Sequence, residues 1–264
     1  MPEGDTLYRI AENLRPVLQG RVIRQAASYA SPTVEAIDAE RLIGKRVDEV
    51  RVRGKHLFLS FDEGWVVHSH LGMSGSWHAY PFDAAWAYPT REASLALRTD
   101  AADVVNFRAK HLSLTSSTRL RRDDYLKKLG PDLMLADTDF EGVLPRLRVH
   151  DESPIGEAVM NQTIACGIGN IYKSETLFVT RTNPWARVGE LSDESLRHVL
   201  SEARRLLRLN RGKGARTIRL RNDGPRFWVY GRAGEPCLAC GGKIFLRRQG
   251  EAGRTTYWCP TCQR

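Results

Sequence analysis

The C-terminal stretch Cys237-Leu238-Ala239-Cys240-Gly241-Gly242-Lys243-Ile244-Phe245-Leu246-Arg247-Arg248-Gln249-Gly250-Glu251-Ala252-Gly253-Arg254-Thr255-Thr256-Tyr257-Trp258-Cys259-Pro260-Thr261-Cys262 holds four of the chain's five cysteines in a C-x2-C-x18-C-x2-C pattern. Each C-x2-C pair can bring two sulfurs to one ion from a tight turn, and four thiolates close a tetrahedral shell around zinc. Between the pairs, Lys243–Arg248 and Thr255–Trp258 read as two short strands joined by a glycine-rich turn. The competing reading, two disulfides or unpaired thiols, is disfavoured in a reducing cytosol. One structural zinc ion on Cys237, Cys240, Cys259 and Cys262 is therefore expected. The fifth cysteine, Cys166, reads as a small buried filler.

The charge is concentrated beside this module. Residues 211–264 carry twelve Lys/Arg against three Asp/Glu, while residues 1–210 balance to zero, so the whole net charge of +9 lies in the last fifth of the chain. A local excess of this kind marks a polyanion-binding module, although basic tails also occur as solubilising extensions. The basic run Asn210–Asn222 leads into it. A hydrophobic content of 42% is ordinary for a globular protein of this length, and no apolar run reaches the ~18 residues of a membrane span. The opening Met1–Ile10 is charged where a signal peptide would be apolar, so a cytoplasmic, nucleoid-associated protein that is mature from its first residues is expected.

Upstream, Leu7, Ile10, Ala11, Leu14 and Leu18 keep helical spacing, with Asp5 or Thr6 to cap the start and Gly20 after the end. From Arg21 to about Thr115 the pattern shortens to alternating runs. Val47, Val50 and Val52, then Leu57, Leu59 and Phe61, then Trp65–His68, Leu95–Leu97 and Val104–Phe107 predict a β-rich domain, most simply a sandwich. After Arg119 the signal turns helical. Ser153-Pro154 predicts a cap with proline at the first helical position, and Leu196, Val199, Leu200, Ala203, Leu206 and Leu207 form a stripe started by Ser192 and stopped near Gly212. The expected class is α+β, with a sandwich over 1–118, a helical domain over 119–230 and the zinc hairpin over 231–264.

Several residues could carry chemistry. Removal of methionine before the small Pro2 would leave a secondary amine next to a helix N-terminus, whose positive potential disfavours the protonated form and favours a nucleophile. Glu3 beside it supplies a carboxyl for proton transfer. Gly167-Ile168-Gly169-Asn170-Ile171-Tyr172 lies between helical stretches, where glycines permit close backbone approach and Asn170 can cap a helix whose N–H groups favour a phosphate; an ordinary glycine-containing helix connection fits the same spacing. Arg254 sits at the tip between the cysteine pairs, where contact residues are often displayed. Lys55 enters a strand, a position that is usually solvated.

Taken in order, these segments resemble the formamidopyrimidine-DNA glycosylase/endonuclease VIII family. The resemblance rests on Pro2-Glu3-Gly4, Arg53-Gly54-Lys55-His56-Leu57, His70-Leu71-Gly72-Met73-Ser74-Gly75, Gly167–Tyr172 and Gly253-Arg254-Thr255-Thr256 running into Cys259–Cys262. It spans residues 2 to 263, and the Pro-Glu-Gly opening is similar to the endonuclease VIII branch. The resemblance implies an N-terminal β-sandwich, a helix-two-turn-helix domain and a zinc β-hairpin. It implies a bifunctional DNA glycosylase and abasic-site lyase of base excision repair, acting on oxidised bases, pyrimidines in this branch. Pro2 would attack C1′ of a flipped-out nucleotide, Glu3 would assist ring opening and proton transfer, and β,δ-elimination would follow from an imine. Lys55, Asn170, Arg254 and His70 match phosphate-contacting positions, with Lys55 also serving in elimination and Arg254 in the catalytic set.

Three departures set the limits of that likeness. Thr6 stands where the family often has a second carboxylate, with Asp5 before it as a substitute or, preferably, as a helix cap. Met73 matches a side chain that fills the hole left by the flipped base, while a buried core methionine fits the sequence nearly as well. Asn106–His111 does not match the family's other void-filling loop. An abasic-site or single-strand-lesion lyase with little base excision, or a non-catalytic DNA binder, therefore stays as an alternative. Damaged DNA is the expected partner, with no membrane and a monomeric chain.

Overall fold

The first helix begins one turn earlier than its hydrophobic stripe. In the computed structural model, which describes residues 1–31, 33–212, 214–220 and 223–264, α1 spans Gly4–Leu18 and is capped by Glu3 rather than by Asp5 or Thr6. The Glu3 N–H donates to Thr6 Oγ1 at 3.4 Å, and the Thr6 hydroxyl donates in turn to Asp5 Oδ1 at 3.3 Å. Asp5 thus lies inside the first turn, wholly buried, where a carboxylate complements the helix dipole. Leu7, Ala11, Leu14 and Leu18 on the opposite side go into the core. The chain divides into two compact units, Met1–Lys128 and Leu129–Arg264.

The first unit carries two four-stranded antiparallel sheets. One has the order β1 (Gln25–Ser28), β6 (Ala93–Arg98), β7 (Asp103–Phe107), β5 (Ser76–Tyr80); the other runs β2 (Val47–Arg53), β3 (His56–Phe61), β4 (Trp65–His70), β8 (His111–Ser116). The predicted alternation holds on the inner face of the second sheet, where Val50, Val52, Leu57, Leu59, Phe61 and Val67 are buried. Trp77 reaches from β5 to donate its indole N–H to Ser69 Oγ at 3.1 Å, so even the polar residue on this face is satisfied. Two short helices, α2 (Ser117–Arg121) and α3 (Asp124–Lys128), follow β8; Ser116 caps the first by accepting the Arg119 N–H at 3.2 Å.

The second unit is helical and ends in the hairpin. It contains α4 (Leu144–Arg148), α5 (Ile155–Ala158), α6 (Asn170–Val179), α7 (Asp193–Leu209) and the antiparallel pair β9 (Phe245–Gln249) and β10 (Arg254–Trp258). Ser192 caps α7 by accepting the Ser195 N–H at 3.1 Å, and the expected stripe from Leu196 to Leu207 is buried. Proline is shifted by one from its expected place, because Pro154 is the cap of α5 and Ile155 its first residue. The basic run Asn210–Asn222 falls partly on Lys213, Arg221 and Asn222, which lie outside the described residues.

Polar bonds fasten the hairpin to α6. The Lys173 ammonium, buried in the middle of the helix, donates to Thr256 Oγ1 at 2.7 Å and to the Thr255 carbonyl at 3.2 Å. Glu175, one helical position group further on, accepts the backbone N–H groups of Trp228, Val229 and Tyr230, each at 2.8 Å. Gln249 on β9 donates to the Pro184 carbonyl at 2.9 Å, and Gln263 donates to the Thr182 carbonyl at 2.9 Å. A small module with few apolar residues is held in this way by directional bonds as well as by Phe178, Val229 and Ile244 packed beneath it.

Candidate nucleic-acid interface and metal centre

The metal centre follows directly from the hairpin. Tight turns at Gly241 and after Cys259 place the two C-x2-C pairs side by side, and the four Sγ atoms lie within 4.8 Å of one another. Cys240 and Cys259 sulfurs are 3.5 Å apart, and those of Cys237 and Cys262 are 3.9 Å apart. Four sulfurs at about 2.3 Å from one ion in a tetrahedron would stand about 3.8 Å apart, so the donor set and its spacing fit one zinc ion. No ligand position is left open for water, and the ion's role is structural. Cys166 is buried elsewhere, its thiol against the Gly130 carbonyl at 3.4 Å, as its reading as a filler requires.

In the second unit one sequence-predicted residue, Asn170, meets the strand that begins with another, Arg254. Asn170 is the first residue of α6 and Gly169 is its N-cap, so Asn170 does not cap the helix as expected. Its side chain turns toward the hairpin instead, where Nδ2 donates to Thr255 Oγ1 at 3.1 Å, next to the exposed Arg254 at the start of β10. Asn170 Oδ1 is buried and has no hydrogen-bond partner among the described residues. The start of α6, which has no side-chain cap, is thereby tied to the start of β10, and the N–H groups of a helix N-terminus favour an anion.

The first unit presents its candidates at chain turns. Pro2 precedes the wholly buried Glu3 at the positive end of α1. Lys55 occupies the two-residue turn between β2 and β3, which Gly54 makes possible with φ of 58°. His70 ends β4 and accepts the Gly72 N–H on Nδ1 at 3.1 Å, which puts the ring proton of the neutral form on Nε2 as a donor. Met73, on the tight turn after β4, is 67% exposed; the buried-core reading of this residue is overturned, because the turn lifts it away from both sheets. Gly75 closes that turn with its N–H on the Leu71 carbonyl at 3.0 Å. The loop Asn106–His111 is committed to the fold: Arg108, with φ of 51°, pairs with Glu92 and lies 4.3 Å over the Tyr88 ring, and Asn106 is buried.

Sequence reading missed what surrounds Lys55 and His70. On the outer face of the β2–β3–β4–β8 sheet, strand register creates two rows, Arg53–His56–His70–His111 and Arg51–Phe58–His68–Ser113. His56 Nδ1 and His68 Nε2 share a hydrogen bond of 2.9 Å, His68 stacks on Phe58 at 4.7 Å, and Tyr125 covers His56 at 5.6 Å. Burial, reinforced by His68, His70, His111 and Lys55, pushes the His56 pKa down to about 2. Burial pushes His68 and His70 down to about 4, with Asp123 opposing the shift at His68 and Lys55 and Lys110 adding to it at His70. The rings are neutral at pH 7, so the positive charge near them comes from Lys55, Lys110 and the arginines rather than from imidazolium. A signal existed in the histidines at 56, 68, 70 and 111, but only strand register brings them together.

Comparison with known proteins identifies the domains of the chain. The formamidopyrimidine-DNA glycosylase N-terminal domain matches residues 1–124, the formamidopyrimidine-DNA glycosylase H2TH domain 129–222, and the zinc finger found in that glycosylase and isoleucyl-tRNA synthetase 234–264. The chain is 38% identical to a probable endonuclease 8 2 of Streptomyces coelicolor, covering 100% of this chain and 94% of the relative. It is 39% identical to a protein of Mycolicibacterium smegmatis named DNA-(apurinic or apyrimidinic site) lyase Nei2, with 100% and 99% covered. Among solved structures, MutM in complex with DNA containing carbocyclic 8-oxo-G superposes with a TM-score of 0.83 at 25% identity over the full length of both chains. Lactococcus lactis Fpg in complex with DNA containing N7-benzyl-Fapy-dG superposes with a TM-score of 0.84 at 24% identity, also over both whole chains, and shares the fold. By three consecutive domains in one order, the chain belongs to the formamidopyrimidine-DNA glycosylase/endonuclease VIII family.

Proposed function

We propose that the protein is a bifunctional DNA glycosylase and abasic-site lyase of base excision repair that uses the amine of Pro2 as its nucleophile. The observation that carries the reading is a proline at position 2 followed by a buried carboxylate, Glu3, at the positive end of α1. That end disfavours a protonated amine and holds a carboxyl group ready for proton transfer. With Met1 removed, the Pro2 nitrogen attacks C1′ of the damaged nucleotide and the C1′–base bond breaks, the base leaving with a proton. Glu3 assists opening of the sugar ring, and loss of the ring oxygen from C1′ gives an imine between Pro2 and the sugar. Removal of a C2′ proton expels the 3′ phosphate, and a second elimination expels the 5′ phosphate. Lys55 holds a phosphate and assists elimination; His70, Asn170 and Arg254 hold others, and Met73 fills the space vacated by the flipped nucleotide.

In this reading the sandwich over 1–118 carries the chemistry, the helical domain over 119–230 and the hairpin over 231–264 grip the backbone, and the preferred lesions are oxidised pyrimidines. The Pro-Glu-Gly opening and the endonuclease 8 names of the relatives support that preference. A narrower activity, on abasic sites with little base excision, is favoured by one feature. Arg108 of this loop is held by Glu92 and Tyr88, which restrains it from replacing a flipped base.

Borohydride trapping on duplexes carrying 5-hydroxyuracil, 8-oxoguanine or an abasic site separates these readings, with Pro2→Gly as the control. An adduct on the pyrimidine lesion that is lost in the control is the expected result. Trapping on the abasic site alone supports the narrower lyase. No adduct from a protein with a verified free N-terminal proline would overturn both.

A further inference from the structure

A second strongly basic feature lies in the first unit, starting at Arg53 just before the turn that carries Lys55. A cleft of about 210 Å³ opens between β2 and the α2–α3 segment. Arg51, Arg53, Arg121 and Lys127 line it over a floor that includes the buried Phe58 and Leu126, and no carboxylate belongs to its lining among the described residues. The Arg51 guanidinium lies 5.2 Å over the Phe58 ring, which limits its freedom and presents its planar fork to the cleft. The acidic neighbours are outside: Glu49 meets Arg51 at 3.9 Å and Asp124 meets Lys127 at 3.4 Å, both on the exposed surface. Exposed pairs of this kind contribute little and are readily exchanged for a stronger anion.

We propose that this cleft is a second phosphate site, which takes a backbone phosphate of the DNA strand outside the lesion. The inference rests on the DNA-repair reading above. Arg51 and Arg53, alternate residues of β2, lie on one face about 6.8 Å apart, and Lys55 follows in the turn, close enough to His56, the register partner of Arg53, to help lower its pKa. Arg53 and Arg51 thus carry positive charge from the turn with the proposed lesion-side Lys55 into the cleft, where Arg121 and Lys127 add two more cations. Arginine forks bind phosphate oxygens in pairs, and the apolar floor gives a sugar ring a dry surface. A free pyrophosphate-bearing ligand offers the same chemistry; the place of Arg53 between the cleft and the turn with Lys55 favours DNA.

The test is Arg121→Ala/Lys127→Ala, two exposed changes whose folding is checked by thermal melting. Binding is measured against salt concentration on abasic duplexes of about one helical turn and about three turns. The proposal expects the double variant to weaken binding to the long duplex several-fold and to lower its salt slope by about 1 to 2, while the short duplex is unaffected. Equal slopes for variant and wild type on the long duplex, or equal losses on both lengths, would overturn it. So would unchanged DNA slopes combined with tight stabilisation of the wild type by pyrophosphate, which would give the cleft to a soluble ligand. Failure of the wild type to bind either duplex would instead sink the repair reading on which the inference stands.

Discussion

Acidification from pH 7 to pH 5 should destabilise the β-sandwich unit by about 4 kcal/mol through His56 and His68 alone. Both imidazoles are buried and share one hydrogen bond, which needs a lone pair on one of the two nitrogens and so excludes protonation of both at that contact. Their folded pKa values lie near 2 and 4, below the ordinary 6.5, so the unfolded chain binds protons first as the pH falls. Stability is then complete above about pH 6.5 and declines below it, levelling off for His68 below about 4 and for His56 only below about 2. The interval from 6.5 to pH 5 is worth about 2 kcal/mol for each ring, and coupling between them makes the sum an upper figure. Hydrogen exchange of the β3 and β4 amides, corrected for the intrinsic effect of pH, reads this unit without interference from the other. The double variant His56→Leu/His68→Phe should lose the share of the pH dependence due to these two rings, while His70 keeps its own, whatever the variant's stability. Equal protection of the wild type at pH 7 and pH 5, or an undiminished loss in the double variant, would refute the reasoning.

Three further outcomes follow from the second unit and the turn after β4. Glu175→Gln exchanges one of the oxygens facing the Trp228, Val229 and Tyr230 N–H groups for a donor, and a loss of about 2–4 kcal/mol in urea unfolding is expected. Lys173→Met removes both bonds to β10 and should raise the exchange rates of the Thr255–Trp258 amides while weakening DNA binding, with α7 protection unchanged. Gly75→Ala would bring a methyl group to 2.5 Å from the Leu71 carbonyl oxygen, so the turn carrying Met73 must shift; a loss of about 1–3 kcal/mol and of cleavage activity is expected, measured by thermal melting and by nicking of lesion-bearing duplex.

The parts of the fold that could be read from sequence are those governed by local rules. The cysteine spacing specifies the hairpin by itself, and the α7 stripe with Ser192 before it needs no knowledge of its partners. Strand β3 shows where such rules end. All but one of its residues are buried, because α2 and α3 cover the outer face on which His56 and Phe58 lie, and a pattern of period two cannot reveal a cover supplied from 60 residues downstream. The cap positions at Glu3, Pro154 and Gly169 each differ by one to three residues from those expected, since several polar residues near a helix start can serve and packing chooses among them. Met73 could not be placed by type, for a thioether suits a core and an exposed turn equally. Lys173 and Glu175 were passed over as ordinary charged positions of a helix, although they hold the hairpin and the 228–230 segment.

Those two residues give the second unit a mechanical property. One helical turn of α6 holds the hairpin through an ammonium and the incoming 228–230 segment through a carboxylate, with Asn170 touching Thr255 one turn earlier. A force applied at Arg254 therefore has no soft joint in which to dissipate before it reaches the start of α6. Hairpin and helix would yield together, as one lever, and a phosphate drawn toward either would find the position of the other already set.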